Sequence, residues 1–200
     1  MSRLVRDAGL LLMVAALALS ATLAWRHWTS PTIVDAAKQL QSREQLAVLP
    51  DGSYDNQPLD HPLPTPVAQR PTSRILAAYR AELAGTPTAI IVITRTQGYA
   101  GPIVLSIAIA TDGRLIGSQV VEQQESPGLG ARLGDAQVNW LQQFANRHLG
   151  NHWALRRDHG DFDQLSGATV TSRAVISALQ EALSYFDEQR SVLLEGTTHE

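Results

Sequence analysis

Asp163-Gln164-Leu165-Ser166-Gly167-Ala168-Thr169 is the run whose residue types and spacing come nearest to a binding site. It is rich in small residues and stands just before a helical pattern. The N-terminus of a helix presents free N–H groups and a positive dipole end, which favour a phosphate. Gly167 and Ala168 leave room for the backbone to approach a bulky ligand. The competing reading is an ordinary capping loop with Ser166, Thr169 or Thr171 as the cap. A second run, Gly128-Leu129-Gly130-Ala131-Arg132-Leu133-Gly134, imitates a dinucleotide loop. Its third glycine comes one position late, Pro127 precedes it, and Asp158 lies too far along to serve as the acidic partner. No parallel βαβ unit surrounds it, so it reads as a turn that lets the backbone come close to something.

Other chemistries find less support. His148, His152 and His159, with Asp158 and Asp161, are metal-ligand types, but Gly150 interrupts the helix that would align the first two. They read as a solvated polar loop. The chain has no G-x-S-x-G motif and no P-loop, so a serine hydrolase or nucleotide triphosphatase has no basis. Zero cysteines exclude disulfides, thiolate zinc sites, cysteine-ligated iron–sulfur clusters and a cysteine nucleophile. Sixteen Lys+Arg against 19 Asp+Glu, a net charge of −3, remove the electrostatic motive for general nucleic-acid binding. A length of 200 residues fits one domain with attachments.

The elements that must position these runs follow from periodicity. A helix from about Thr171 to Gln189 places Val175, Leu179, Leu183 and Phe186 on one stripe. Ala89 to Thr94, Ile103 to Ala110 and Leu115 to Val121 are strands, the last two joined by a hairpin at Thr111-Asp112-Gly113. Ser73 is expected to cap a short helix through Leu83, and Asp135 a helix carrying Val138, Leu141 and Phe144. Thr32 to Leu49 has helical spacing, and the proline-rich Asp51 to Pro71 reads as a loop or extended linker, not a second domain. The fold class is α+β, a small antiparallel sheet packed with helices.

Ala8 to Trp25 is 18 residues without a charge. As a helix it would span about 27 Å, close to the hydrocarbon thickness. Arg3 and Arg6 precede it, and Trp25 and Trp28 follow at interfacial depth. A transmembrane anchor is favoured over a cleaved signal peptide on length, and both export the rest of the chain. The expected organisation is a tail and anchor over 1–28, a helix and linker region over 29–72, a domain over 73–190 and a tail over 191–200.

Asp163 to Thr169 matches the flavinylation motif D-x-[ILV]-[ST]-G-A-[ST] at every specified position. Glu125-Ser126-Pro127-Gly128-Leu129-Gly130 resembles the E-T-P-G-L-G loop of the same covalent FMN-binding domains, with Ser for Thr. Tyr54-Asp55-Asn56, Gly98-Tyr99-x-Gly101 and Thr171-Ser172-Arg173-Ala174-Val175 also look like this family. The chain is similar to the G subunits of the Rnf (Rsx) electron-transport complexes over nearly its whole length. Where the family often has His two residues before the loop glutamate, this chain has Gln123.

The resemblance implies FMN joined to Thr169 by a phosphoester bond, with Ser166, Gly167, Ala168, Glu125, Ser126, Gly128 and Leu129 around the cofactor. It implies a flavin transferase that uses FAD and a divalent metal, with Asp163 in its recognition motif. It also implies a membrane anchor through residues 8–25, a domain on the periplasmic side of the inner membrane, and partnership with the other proteins of the Rnf (Rsx) complex. The chain would relay electrons and would not be catalytic alone. The corresponding C subunit of the sodium-pumping NADH:quinone reductase shares the domain but is usually longer. A membrane-anchored adaptor that keeps only the fold is the non-redox alternative.

Overall fold

The computed structural model describes residues 7–9, 12–22, 25, 45–64, 68–135 and 137–195. The chain divides into two compact units, Met1–Ser42 and Arg43–Glu200. In the first, residues 7–9, 12–22 and 25 are helical, with the apolar side chains of Leu12, Met13, Val14, Leu17, Leu19 and Trp25 exposed. Residues 10, 11, 23 and 24 of the expected anchor lie outside the described residues, as do 32–44 of the expected second helix. No helix of the described residues is long and apolar enough to cross a membrane.

The second unit is built on four antiparallel strands in chain order: β1 (Ser73–Leu83), β2 (Thr86–Gln97), β3 (Pro102–Ala110) and β4 (Leu115–Gln123). Both faces of the sheet are covered, which explains why β2 and β3 read as unbroken apolar runs and not as alternating ones. Ile90, Val92, Leu105 and Ile107 pack against helix α1 (Thr169–Glu188) through Val175, Leu179, Leu183 and Phe186. Ile91, Ile93, Val104 and Ala108 face the other way, onto Leu46, Val48, Leu49 and Tyr54. Each large apolar side chain fully removed from water contributes about 1.5–3 kcal/mol.

Three sequence expectations change. Ser73–Leu83 is a strand and not a capped helix. The Ser73 hydroxyl donates to Glu181 of α1, and Thr72 donates to the same carboxylate from its N–H and hydroxyl, both at 2.9 Å. Asp135 does not start an α-helix. Its carboxylate accepts the Gln137 N–H at 2.8 Å, Asn139 turns left-handed at φ 49°, and only a 3-10 turn, Trp140–Phe144, follows. The described residues of segment 51–71 form a loop held against the sheet and not an extended linker. The Asn56 amide brackets β1, donating to the Arg80 carbonyl and accepting the Glu82 N–H, and the Leu63 N–H reaches the Ala78 carbonyl at 2.9 Å. The compact unit therefore begins well before residue 73. At its other end a short helix α2 (Arg190–Leu194) continues the fold past 190, with Leu193 buried and its carbonyl accepting from Arg80 Nε at 2.7 Å.

Candidate functional site

Helix α1 begins at Thr169. Its N-cap is Ala168, and neither Ser166, Thr169 nor Thr171 makes a capping hydrogen bond. The cap side chain thus offers no acceptor to the first-turn N–H groups, leaving the positive end of the helix available to an anion. The entry turn is fixed from within. Ser172 Oγ donates to the Ala168 carbonyl (2.8 Å) and accepts the Leu165 N–H (2.9 Å), while Gly167 takes φ +75°. The half-buried Thr169 hydroxyl donates to Gln164 Oε1 at 3.1 Å. Thr171, two residues on, is fully buried.

The loop after β4 meets this turn. Glu125, near its start, is only 7% exposed. Glu125 Oε1 accepts the Ala100 N–H (3.2 Å), and Oε2 accepts the Thr171 hydroxyl (2.9 Å). Gln123 Oε1 accepts the Glu125 N–H at 2.7 Å, so Gln123 shapes the loop. A Cβ at Gly98 or Gly130 would overlap the Glu125 carboxylate, which is why both positions are glycine. A Cβ at Gly167 would come 2.7 Å from Leu129 Cδ2, so the two sequence motifs are in direct packing contact.

Together they line one cavity of about 360 Å³, with Tyr99, Glu125, Ser126, Leu129 and Gly130 on one side and residues 167–171 on the other. Tyr99, Leu129 and Val170 at its rim are exposed apolar side chains. A larger groove of about 580 Å³ runs along β4 past Val48, Ser118 and Trp140, but it contains none of the motif residues. The cavity between the motifs is the one whose lining matches the chemistry.

The family of FMN-binding domains matches residues 98–184, a span that holds every wall of this cavity. The G subunit of the ion-translocating oxidoreductase complex of Pseudomonas aeruginosa is 38% identical over 212 aligned residues, covering 98% of this chain and 96% of that one. The chain belongs to this G-subunit family. The member from Vibrio atlanticus is 30% identical, with 95% and 94% covered, and one from Cereibacter sphaeroides is 35% identical, with 93% and 84% covered. A crystal structure of NqrC from Shewanella oneidensis aligns at 20% identity with a TM-score of 0.49, covering 64% of this chain and 71% of that one.

Within this member of the G-subunit family, six of the residues singled out by sequence line the cavity: Glu125, Ser126, Leu129, Gly167, Ala168 and Thr169. Gly128 and Ser166 are exposed on the turns beside it. Asp163 is apart, lining a separate cavity of about 310 Å³ with Arg156, Arg157 and Gln164. Its exposed carboxylate is 3.4 Å from Arg156 Nε. Its backbone is held independently, the N–H by Gln143 Oε1 (2.8 Å) and the carbonyl by Trp140 Nε1 (2.8 Å). Sequence reading missed the roles of Tyr99, Val170 and Thr171 in the cavity. Helical periodicity was a usable signal for Thr171, since it turns inward on the helix that presents Thr169 outward. Around the histidines, Asp161 accepts the His152 N–H (3.0 Å) and an Asn151 amide hydrogen (3.3 Å), bonds that hold its carboxyl below the usual carboxylate range. Among the described residues no group of three His, Asp or Glu is placed to hold a metal.

Proposed function

We propose that this chain is the flavoprotein component of an Rnf-type ion-translocating oxidoreductase complex, carrying FMN on Thr169 through a phosphoester bond. The observation that carries this reading is the single cavity into which the Glu125–Gly130 and Gly167–Thr169 runs converge, with a reachable hydroxyl in the second run only at Thr169. The residues fit the group. The uncapped start of α1 favours the phosphate, Gly167 keeps the turn open, and the rim side chains of Tyr99, Leu129 and Val170 offer apolar surface to a flat ring. When bound, the flavin supplies the electron uptake and release, and the protein supplies position and tuning.

A threonine hydroxyl is too weak a nucleophile to attach FMN unaided, so attachment belongs to a flavin transferase acting on the 163–169 run. The exposed apolar helix over residues 12–22 supports a membrane anchor through residues 8–25, with the FMN domain on the periplasmic side and the other proteins of the complex as partners. Covalent attachment suits an exported carrier, which would otherwise lose a dissociable cofactor by dilution. The test is intact mass after denaturation: the native chain gains one FMN less one water, and an unmodified mass refutes the reading.

Asp163 separates recognition from architecture. Its ion pair with Arg156 is exposed, and such pairs contribute at most about 1 kcal/mol. Its backbone hydrogen bonds do not involve the carboxylate. Asp163→Asn is therefore expected to leave thermal stability near that of the native chain while sharply lowering covalent FMN per mole. Normal loading would leave Asp163 a mere loop residue.

A further inference from the structure

On the reading that FMN occupies the Thr169 cavity, we propose that Glu125 is the residue that holds the flavin's reduction potential down. Its side chain lies in the cavity wall and is more than nine-tenths buried. Its Oε1 accepts the Ala100 N–H and its Oε2 accepts the Thr171 hydroxyl. The ion pairs among the described residues engage Glu188, Glu82, Asp112, Asp163 and Asp158, and none engages Glu125.

Burying a carboxylate without a cationic partner is costly. Here the fold makes room for it twice over, at Gly98 and at Gly130. A mere tie between the three segments would be served as well by a neutral amide, which can accept from the Ala100 N–H and donate to the Thr171 oxygen. What the amide lacks is the charge. Two-electron reduction places negative charge on a flavin ring at neutral pH, and a fixed negative charge in a low-dielectric wall opposes that change. Thr171 and Ala100 position the carboxylate and withdraw part of its field.

The experiment is a redox titration of the flavin in the full-length protein, purified in detergent, with thermal unfolding measured on the same preparations. Glu125→Gln is expected to shift the equilibrium at least tenfold toward reduced flavin, an upward move of about 30 mV for a two-electron couple. Glu125→Asp keeps the charge and is expected to stay near the native potential. An unchanged potential in flavin-loaded Glu125→Gln overturns the proposal, and so does an equal rise in Glu125→Asp, which would make shape the cause. Should Glu125→Gln fail to fold, Thr171→Val decides. It removes one donor from the carboxylate and is expected to lower the potential, so an unchanged or raised value overturns the proposal. Absence of flavin from the native chain would instead strike the functional reading, before any variant is compared.

Discussion

Thr169→Ala is expected to give a folded protein with no in-gel flavin fluorescence after denaturation. The hydroxyl it removes is the only one in the 167–171 turn that is both in the cavity and reachable from solvent. Thr171 is the natural competitor in sequence, but it is fully buried and its hydroxyl is committed to Glu125. Thr171→Ala should therefore keep covalent flavin while losing stability, because Glu125 Oε2 is left without its donor. An unsatisfied buried acceptor costs about 1–3 kcal/mol. The two variants thus separate attachment from architecture in opposite senses. Persistent fluorescence in Thr169→Ala would remove the central claim, and loss of fluorescence in a folded Thr171→Ala would show the attachment to have been placed on the wrong residue.

The largest effect on stability is expected at Phe162, the residue immediately before the 163–169 run. Its ring is fully buried, with centroids 4.8 Å from those of Phe144 and Trp153. Its backbone also pins the neighbouring turn, the N–H donating to the Ala154 carbonyl (3.2 Å) and the carbonyl accepting the Arg156 N–H (2.8 Å). Phe162→Ala is expected to cost about 3–5 kcal/mol through lost burial and the cavity left behind. In a domain of this size that lowers Tm by roughly 10 °C, read by thermal unfolding. Flavin loading should fall only in proportion to the unfolded fraction, unlike Asp163→Asn, where loading falls without a stability change. A Phe162→Ala protein as stable as the native one would show that the aromatic cluster does not hold the loop.

How legible this was in the sequence depended on what each pattern encodes. The stripe Val175, Leu179, Leu183 and Phe186 revealed the long helix because a regular helix with one buried face leaves a regular trace. Strand β1 left a misleading one. Its buried residues are Ser73, Ile75, Ala78 and Ala81; the step of three from Ile75 to Ala78 spans a slip in the pairing at Ile75/Ala77, and the step from Ala78 to Ala81 crosses from one covered face of the sheet to the other. Bulges shift the side-chain alternation, and the result imitates a helix. The spacing of Val138, Leu141 and Phe144 was likewise by threes, which belongs to a 3-10 turn as readily as to an α-helix. At the site, the motifs identified the two loops, but nothing local to either announced that Glu125 and Thr171 would meet. That contact belongs to tertiary structure.

The Glu125–Thr171 hydrogen bond joins residues 46 positions apart, from the loop after β4 to the first turn of α1. The four strands pair only with their neighbours in the chain, so the sheet can assemble while the chain is still being made. The cavity cannot. One wall is complete once β4 and its loop exist, but the other arrives only when α1, near the end of the chain, docks on the sheet. With Thr169 as the acceptor, the hydroxyl reaches its working position last of all. A covalent flavin on Thr169 would then act as a stamp of completed folding: pigment would mark the chains in which the helix has docked.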